Sequence, residues 1–187
     1  MIYPKKLSSK KSDFILKCCI IASIVIATIL ILINKLTTPG IPWAALANAG
    51  ILYIWITVLY SIYKNVNIAG HVLIQTILIS MLTIYIDFNL GFLGWSISLA
   101  IPILIIVANL TMLILTIISH KKYVKYAIYQ IIIVLLSIVP LLCIYHDIIH
   151  NKILVIIAVG ISILNMILTL AFCAKDIKAA IIRIFHM

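Results

Sequence analysis

Apolar stretches of about twenty residues follow one another along most of the chain, separated by short polar connections. An α-helix needs about 20 residues to cross the roughly 30 Å hydrocarbon layer of a bilayer. Of the 187 residues, 66% are hydrophobic and 10% charged, whereas soluble domains have about 45–50% and about 25%. We therefore predict an all-α fold, a polytopic integral membrane helix bundle without a separate soluble domain.

Lysines, prolines and turn residues divide the sequence into six predicted transmembrane helices. They cover about residues 18–33, 43–63, 68–86, 97–118, 126–145 and 153–174. The first is predicted to stay uncleaved, because it is longer than a signal-peptide core and no small-residue cleavage site follows it. Residues 87–96 are expected to form a tight interfacial loop, and Pro102 is expected to kink the fourth helix.

Two short segments flank this transmembrane domain, which we place at residues 18–174. Residues 1–17 carry five lysines and are predicted to be a basic cytoplasmic segment. In residues 175–187, apolar and basic side chains alternate with helical periodicity. We predict a short amphipathic helix on an anionic inner leaflet, with a frayed continuation of the sixth helix as the alternative.

The basic residues are distributed unequally between the two sides of the predicted bundle. Counted over alternate connections, twelve of the 14 Lys and Arg residues lie on the side of both termini. The positive-inside rule therefore places both termini in the cytoplasm. The whole formal net charge of +10 lies on that side, which suits an anionic leaflet rather than nucleic acid.

The stretch 67–87 carries polar side chains on two faces, and we predict that it forms the central helix. His71 and Gln75 share one face, while Thr76, Ser80 and Asp87 lie nearly opposite. Amides also occur in helices two and four to six, and such groups are costly in lipid unless they are partnered. The predicted polar core residues are Asn48, His71, Gln75, Asn109, Gln130 and Asn165. They could either join helices or line a permeation path.

A second polar group is predicted at the outer mouth of the bundle. His146 and His150 flank Asp147 at helical spacing, and Asp87 ends the third helix on the same side. Imidazole and carboxylate groups bind transition metals or carry protons. Because histidines near a membrane interface are common, the pattern favours interfacial anchoring over a metal or proton site.

The sequence contains none of the common catalytic or nucleotide signatures. HExxH, GxSxG and GxxxxGK[ST] are all absent, and Arg183 is the only arginine. A phosphate-gripping lipid enzyme would therefore lack its preferred bidentate donor. The four cysteines lie in apolar runs without CxxC spacing. We predict neither enzymatic activity nor a cofactor.

From about Thr38 to Met187 the chain resembles an uncharacterised bacterial family of six-helix membrane proteins, a domain of unknown function. The resemblance depends on Pro42-Trp43, Asn67, His71, Gln75, Asp87, Gly94-Trp95, Pro102 and Asn109. Longer members carry an N-terminal Cys-rich zinc ribbon, whereas residues 1–17 here contain no Cys. The resemblance implies a location in the bacterial cytoplasmic (inner) membrane and supplies no activity.

Two main functional hypotheses follow from the sequence, beside a less favoured third, a membrane enzyme that would need Asp87, His146, Asp147 and His150 to converge. The first is a non-enzymatic accessory, sensory or immunity-type binding module, with a membrane protein or a second copy of the chain as its partner. The second is a small transporter or permease subunit, whose polar path would be lined by the intramembrane amides. A continuous polar cavity would favour transport, and a closed core would favour binding.

Overall fold

The computed structural model describes residues 10–63, 67–118, 123–145 and 152–185, and every regular element in these ranges is helical. The elements are α1 (Lys10–Thr37), α2 (Trp43–Tyr63), α3 (Ile68–Asn89), a π-helical turn (Ser96–Ala100), α4 (Ile101–Ile118), α5 (Tyr123–Tyr145) and α6 (Ile153–Phe185). The prediction of an all-α fold with six helices is thus confirmed.

Five stretches of the described residues are long and apolar enough to cross a membrane. They are Phe14–Thr37, Trp43–Ile62, Ile68–Asn89, Ser96–Ile118 and Ile153–Ala171. The apolar part of α5 that is described, Ile128–Ile144, is shorter than these five. Length and composition therefore agree with a polytopic membrane protein.

The chain divides after Ile56 into two compact units, of which the first contains α1 and most of α2. The Asn34 side chain fastens the turn between these helices. Its Nδ2 donates to the carbonyl oxygens of Thr38 and Ile41, both at 2.8 Å, and its Oδ1 accepts from the backbone N–H of Ala44 at 3.2 Å. One amide therefore joins the end of α1, the turn and the start of α2.

Replacing Asn34 by alanine is expected to loosen this turn. Three hydrogen bonds would be lost, and at the membrane-bundle average of roughly 0.6 kcal/mol each the free energy of unfolding should fall by about 2 kcal/mol. A protease of broad specificity, such as proteinase K, should then cut the detergent-solubilised protein faster near residues 38–42. Thr37→Val is the matched control, because the Thr37 hydroxyl bonds only to Ile33 within α1, at 2.7 Å. Equal cleavage rates in the two variants would contradict the assigned role of Asn34.

The second unit, from Thr57 onward, is a bundle in which α4 is the central helix. The π-helical turn and α4 contact α3, α5 and α6. Half of the buried core cluster belongs to α4, namely Ile101, Ile105, Ala108 and Met112, and it is completed by Ala69, Leu73, Ile133 and Ala158. The prediction that the helix within residues 67–87 is central is therefore wrong for this unit.

Four helices extend beyond their predicted ends. α1 covers Lys10–Thr37 rather than 18–33, α3 continues past Ile86 to Asn89, and α5 begins at Tyr123 rather than near residue 126. α6 runs without interruption to Phe185, so residues 175–185 continue this helix instead of forming a separate one. Neither added terminal segment of α1 or α6 contains Gly or Pro, and a helix without such a breaker tends to continue.

The expected disturbance at Pro102 takes the form of a wider helical turn. Residues 96–100 are π-helical and lead directly into α4, whose second residue is Pro102. Proline has no backbone N–H, and its ring crowds the carbonyl four residues earlier, here that of Ser98. A π-helical turn relieves such crowding by shifting the hydrogen-bond pattern.

Candidate functional site

Three amide side chains from three different helices meet in the centre of the second unit. Nε2 of Gln130 on α5 donates to Oδ1 of Asn109 on α4 at 2.7 Å. Nδ2 of Asn165 on α6 donates to Oε1 of Gln130 at 3.2 Å and to Oδ1 of Asn109 at 3.3 Å. We call Asn109, Gln130 and Asn165, with the hydroxyl of Ser162, the amide cluster.

Ser162 and the helix backbones provide the remaining partners of the amide cluster. Nδ2 of Asn109 donates to Oγ of Ser162 at 2.7 Å and to the carbonyl oxygen of Ile105 at 2.9 Å. Nδ2 of Asn165 also donates to the carbonyl oxygen of Asn109 at 2.8 Å. The cluster thus ties α4 and α6 together through backbone as well as side-chain acceptors.

The amide cluster is almost completely shielded. Asn109 and Ser162 are 0% exposed, and Gln130 and Asn165 are 2% exposed. Buried amides are costly without partners and stabilise one arrangement of helices when their partners are in place. The cluster therefore specifies how α4, α5 and α6 pack, and its polar groups bond to one another instead of facing an open channel.

Gln75 and His71, which were expected with these amides, lie elsewhere. Nε2 of Gln75 donates to Oγ1 of Thr57 on α2 at 3.2 Å. The ring of His71 meets that of Tyr60 edge to face, with ring centroids 5.3 Å apart. The opposite face of α3 buries Thr76, Ser80 and Asp87. The prediction that this helix uses polar groups on two faces is confirmed, but Gln75 is not part of the amide cluster.

Asn48 belongs to the first unit, beside an apolar groove of about 200 Å³ between α1 and α2. Its Nδ2 donates to the carbonyl oxygen of Ala27 at 3.4 Å. Its Oδ1 is buried and has no hydrogen-bond partner among the described residues. Asn48 thus joins two helices, as expected of an intramembrane amide, by a single long hydrogen bond.

Asp87 is a fully buried carboxylate, with 0% exposure, at the end of α3. Oδ1 accepts from the backbone N–H of Leu93 at 3.0 Å. Oδ2 accepts from the backbone N–H and the hydroxyl of Ser96 at 3.1 and 2.7 Å. Because Ser96 starts the helical segment that continues as α4, the carboxylate caps a helix N-terminus, where the helix dipole favours negative charge.

The predicted outer cluster is only partly within the described residues. His146, Asp147 and His150 lie outside them. Among the residues that the structure does describe, no three His, Cys, Asp or Glu side chains are grouped to hold a metal ion. Since both oxygens of Asp87 are hydrogen-bonded inside its own connection, interfacial anchoring remains the favoured interpretation of the His146–His150 segment.

Comparison with known proteins identifies the family but no activity. The model of a family of unknown function, DUF6320, matches residues 3–187. The chain belongs to this family. The match to DUF6320 extends further towards the N-terminus than the resemblance read from the sequence, which began near Thr38. No curated protein and no solved structure matches the chain.

The amide cluster is the polar centre of the second unit of this DUF6320 chain. Sequence reasoning identified Asn109, Gln130 and Asn165 as polar core residues, and the structure brings these three together. Ser162 is not among those predicted residues, although its hydroxyl bonds directly to Asn109. Its position three residues before Asn165, on the same helix face, is the signal that could identify it, because small polar residues let helices approach closely.

Proposed function

We propose that this DUF6320 chain is a multi-pass protein of a bacterial cytoplasmic membrane and acts as a non-enzymatic binding module. Accessory, sensory and immunity-type roles all belong to this class. The single observation that carries the proposal is the closure of the amide cluster, whose four side chains are at most 2% exposed. A transport path through the core would need some of these polar groups to face the permeant.

The charge pattern supports a defined orientation for this module. We propose that both termini are cytoplasmic, because twelve of the 14 basic residues lie on their side when the connections are counted alternately. The anionic inner leaflet is then a partner of the chain, alongside a membrane protein or a second copy. Reporter fusions at both termini, active only in the cytoplasm, would test this orientation.

Gentle extraction of the tagged chain from its native membrane in polymer nanodiscs tests the binding role. We expect a membrane protein, or a second copy of the chain, to co-purify at a fixed ratio and to cross-link to the chain before extraction. Conservative substitution within the amide cluster, such as Gln130→Asn or Asn165→Gln, should change this ratio only as far as it lowers the amount of folded protein.

A transport role makes a different prediction for the same material. A small molecule would co-purify, and a well-folded Asn165→Gln variant would lose it while the Thr111→Val variant, altered on the same bundle outside the cluster, would keep it. Flux of that molecule into vesicles that contain the wild-type chain would then show that the chain is a permease rather than a binding module. Absence of both a partner and a small molecule would also contradict the binding role.

A further inference from the structure

The connection between α3 and α4 exposes a group of large apolar side chains. Phe88, Leu90, Phe92 and Leu93 are 72%, 54%, 47% and 76% exposed. Residues 88–96 include no charged side chain. We call these four side chains the apolar tip. A water-facing loop of this size would normally carry polar residues, so the apolar tip needs a partner.

The backbone N–H groups of the apolar tip find their partners within the chain. The N–H groups of four successive residues, 90 to 93, donate to the carbonyl oxygens of Ile86, Phe88 and Asp87 and to the carboxylate of Asp87, at 2.9 to 3.3 Å. In a medium that offers no hydrogen bonds, backbone groups must find such internal partners. The N–H groups of residues 90–93 therefore do not depend on water.

The polar side chains of the connection are also turned to internal partners. Asn89 donates to the carbonyl oxygen of Tyr85 at 2.7 Å, and the hydroxyl of Ser96 donates to Asp87 at 2.7 Å. Asp87, the nearest charge in the sequence, is itself 0% exposed. The large exposed side chains at the turn are apolar and uncharged.

This surface continues the apolar sides of the adjoining helices. Met81 and Tyr85 on α3 and Leu99 in the π-helical turn are exposed, like the apolar tip between them. The 22 residues of α3 rise about 33 Å at about 1.5 Å per residue, so the turn lies at the edge of a hydrocarbon layer about 30 Å thick.

We infer that the apolar tip inserts among the lipid acyl chains at the boundary of the outer leaflet and anchors the α3–α4 connection there. The inference rests on the proposed membrane location. We infer that lipid acyl chains, rather than a protein, cover the apolar tip, because its uncharged surface is continuous with the lipid-facing sides of the two helices. Asp87 contributes by accepting from the N–H groups of Leu93 and Ser96 and from the Ser96 hydroxyl on the inner side of the turn, so that these donors do not face the lipid.

Fluorescence quenching in vesicles of phosphatidylethanolamine and phosphatidylglycerol tests the inference. Cysteines replace Phe88 or Leu93 in a variant whose Cys18, Cys19, Cys143 and Cys173 are alanine, and each carries an environment-sensitive dye. Lys152→Cys is the reference, because this exposed residue directly precedes α6 at the end of the bundle where the π-helical turn contacts that helix. Circular dichroism first checks that each variant is helical.

We expect nitroxide groups near the top of the acyl chains to quench the dyes at positions 88 and 93 several-fold more than aqueous iodide does. At position 152, aqueous iodide should quench the dye more than the nitroxide groups do. Iodide quenching at position 93 equal to that at position 152 would overturn the inference, and so would protection from both quenchers, which would mean that protein covers the tip. A chain that does not float with the vesicles after carbonate extraction would instead overturn the proposed membrane location.

Discussion

Replacing Asn109 by alanine is expected to lower the free energy of unfolding by about 3 kcal/mol. The Asn109 side chain makes three interhelical hydrogen bonds, to Ser162, Gln130 and Asn165. In membrane bundles such bonds contribute roughly 0.6 kcal/mol on average and up to about 1.7. The substitution also leaves Nε2 of Gln130 with only the carbonyl oxygen of Ser162, at 3.5 Å, and a fully unpaired buried donor would cost roughly 1–3 kcal/mol. Reversible unfolding in mixed micelles, with increasing SDS, measures the difference.

Thr111→Val provides the matched control for this prediction. Thr111 lies on the same helix, and its hydroxyl bonds only to the carbonyl oxygen of Val107, at 2.8 Å. Its loss should change the unfolding free energy by less than about 0.5 kcal/mol. The effects of Asn109→Ala and Gln130→Ala should be less than additive, because the two share one hydrogen bond. Strict additivity, or equal effects of Asn109→Ala and Thr111→Val, would contradict the amide cluster.

Replacing Asp87 by alanine is expected to have an effect of similar size, about 3 kcal/mol. The change removes the acceptors of two backbone N–H groups and one hydroxyl. Hydrogen bonds to charged groups contribute roughly 1.5–3 kcal/mol each, and part of this gain is offset because burying a carboxylate is costly. The same SDS unfolding measurement applies, together with the rate of proteolysis in residues 90–94.

A graded series separates the contributions at Asp87. Asp87→Asn keeps one acceptor oxygen and should lose about half as much stability as Asp87→Ala. Ser96→Ala removes only the hydroxyl donor, which corresponds to roughly 1.5 kcal/mol, the lower end of the range for a charged acceptor. If Asp87→Ala were no more destabilising than Ser96→Ala, the carboxylate would not be the cap of the helical segment that begins at Ser96.

The sequence predicts the limits of some helices better than those of others. The start and end of α2, Trp43 and Tyr63, agree with the prediction, because Pro42 and the polar residues after Tyr63 mark both limits. The tail beyond Ala174 was harder to predict. Amphipathic periodicity is the same whether a segment lies on the membrane as a separate helix or continues the preceding one, as α6 does.

The sequence predicts which residues form the candidate site better than it predicts how these residues are arranged. Periodicity gives the helix face on which Gln75 lies, but the crossing angles of the helices decide whether that face meets α5 or α2. Gln75 therefore pairs with Thr57 rather than with Gln130 and Asn165. Asp87 shows the same limit. Its partner Ser96 comes within reach because Gly91, Phe92 and Gly94 adopt positive φ angles, of 96°, 55° and 75°, and such a turn is not visible in hydrophobic patterning.

The uninterrupted course of α6 makes this helix longer than the membrane layer it would cross. Its 33 residues correspond to about 50 Å at about 1.5 Å per residue. A hydrocarbon layer about 30 Å thick leaves roughly 20 Å of this helix outside, joined to the bundle without a hinge. A change in the tilt of α6 within the bundle would therefore move its outer end like a lever arm, so that a rearrangement near Asn165 would be transmitted mechanically towards the C-terminus.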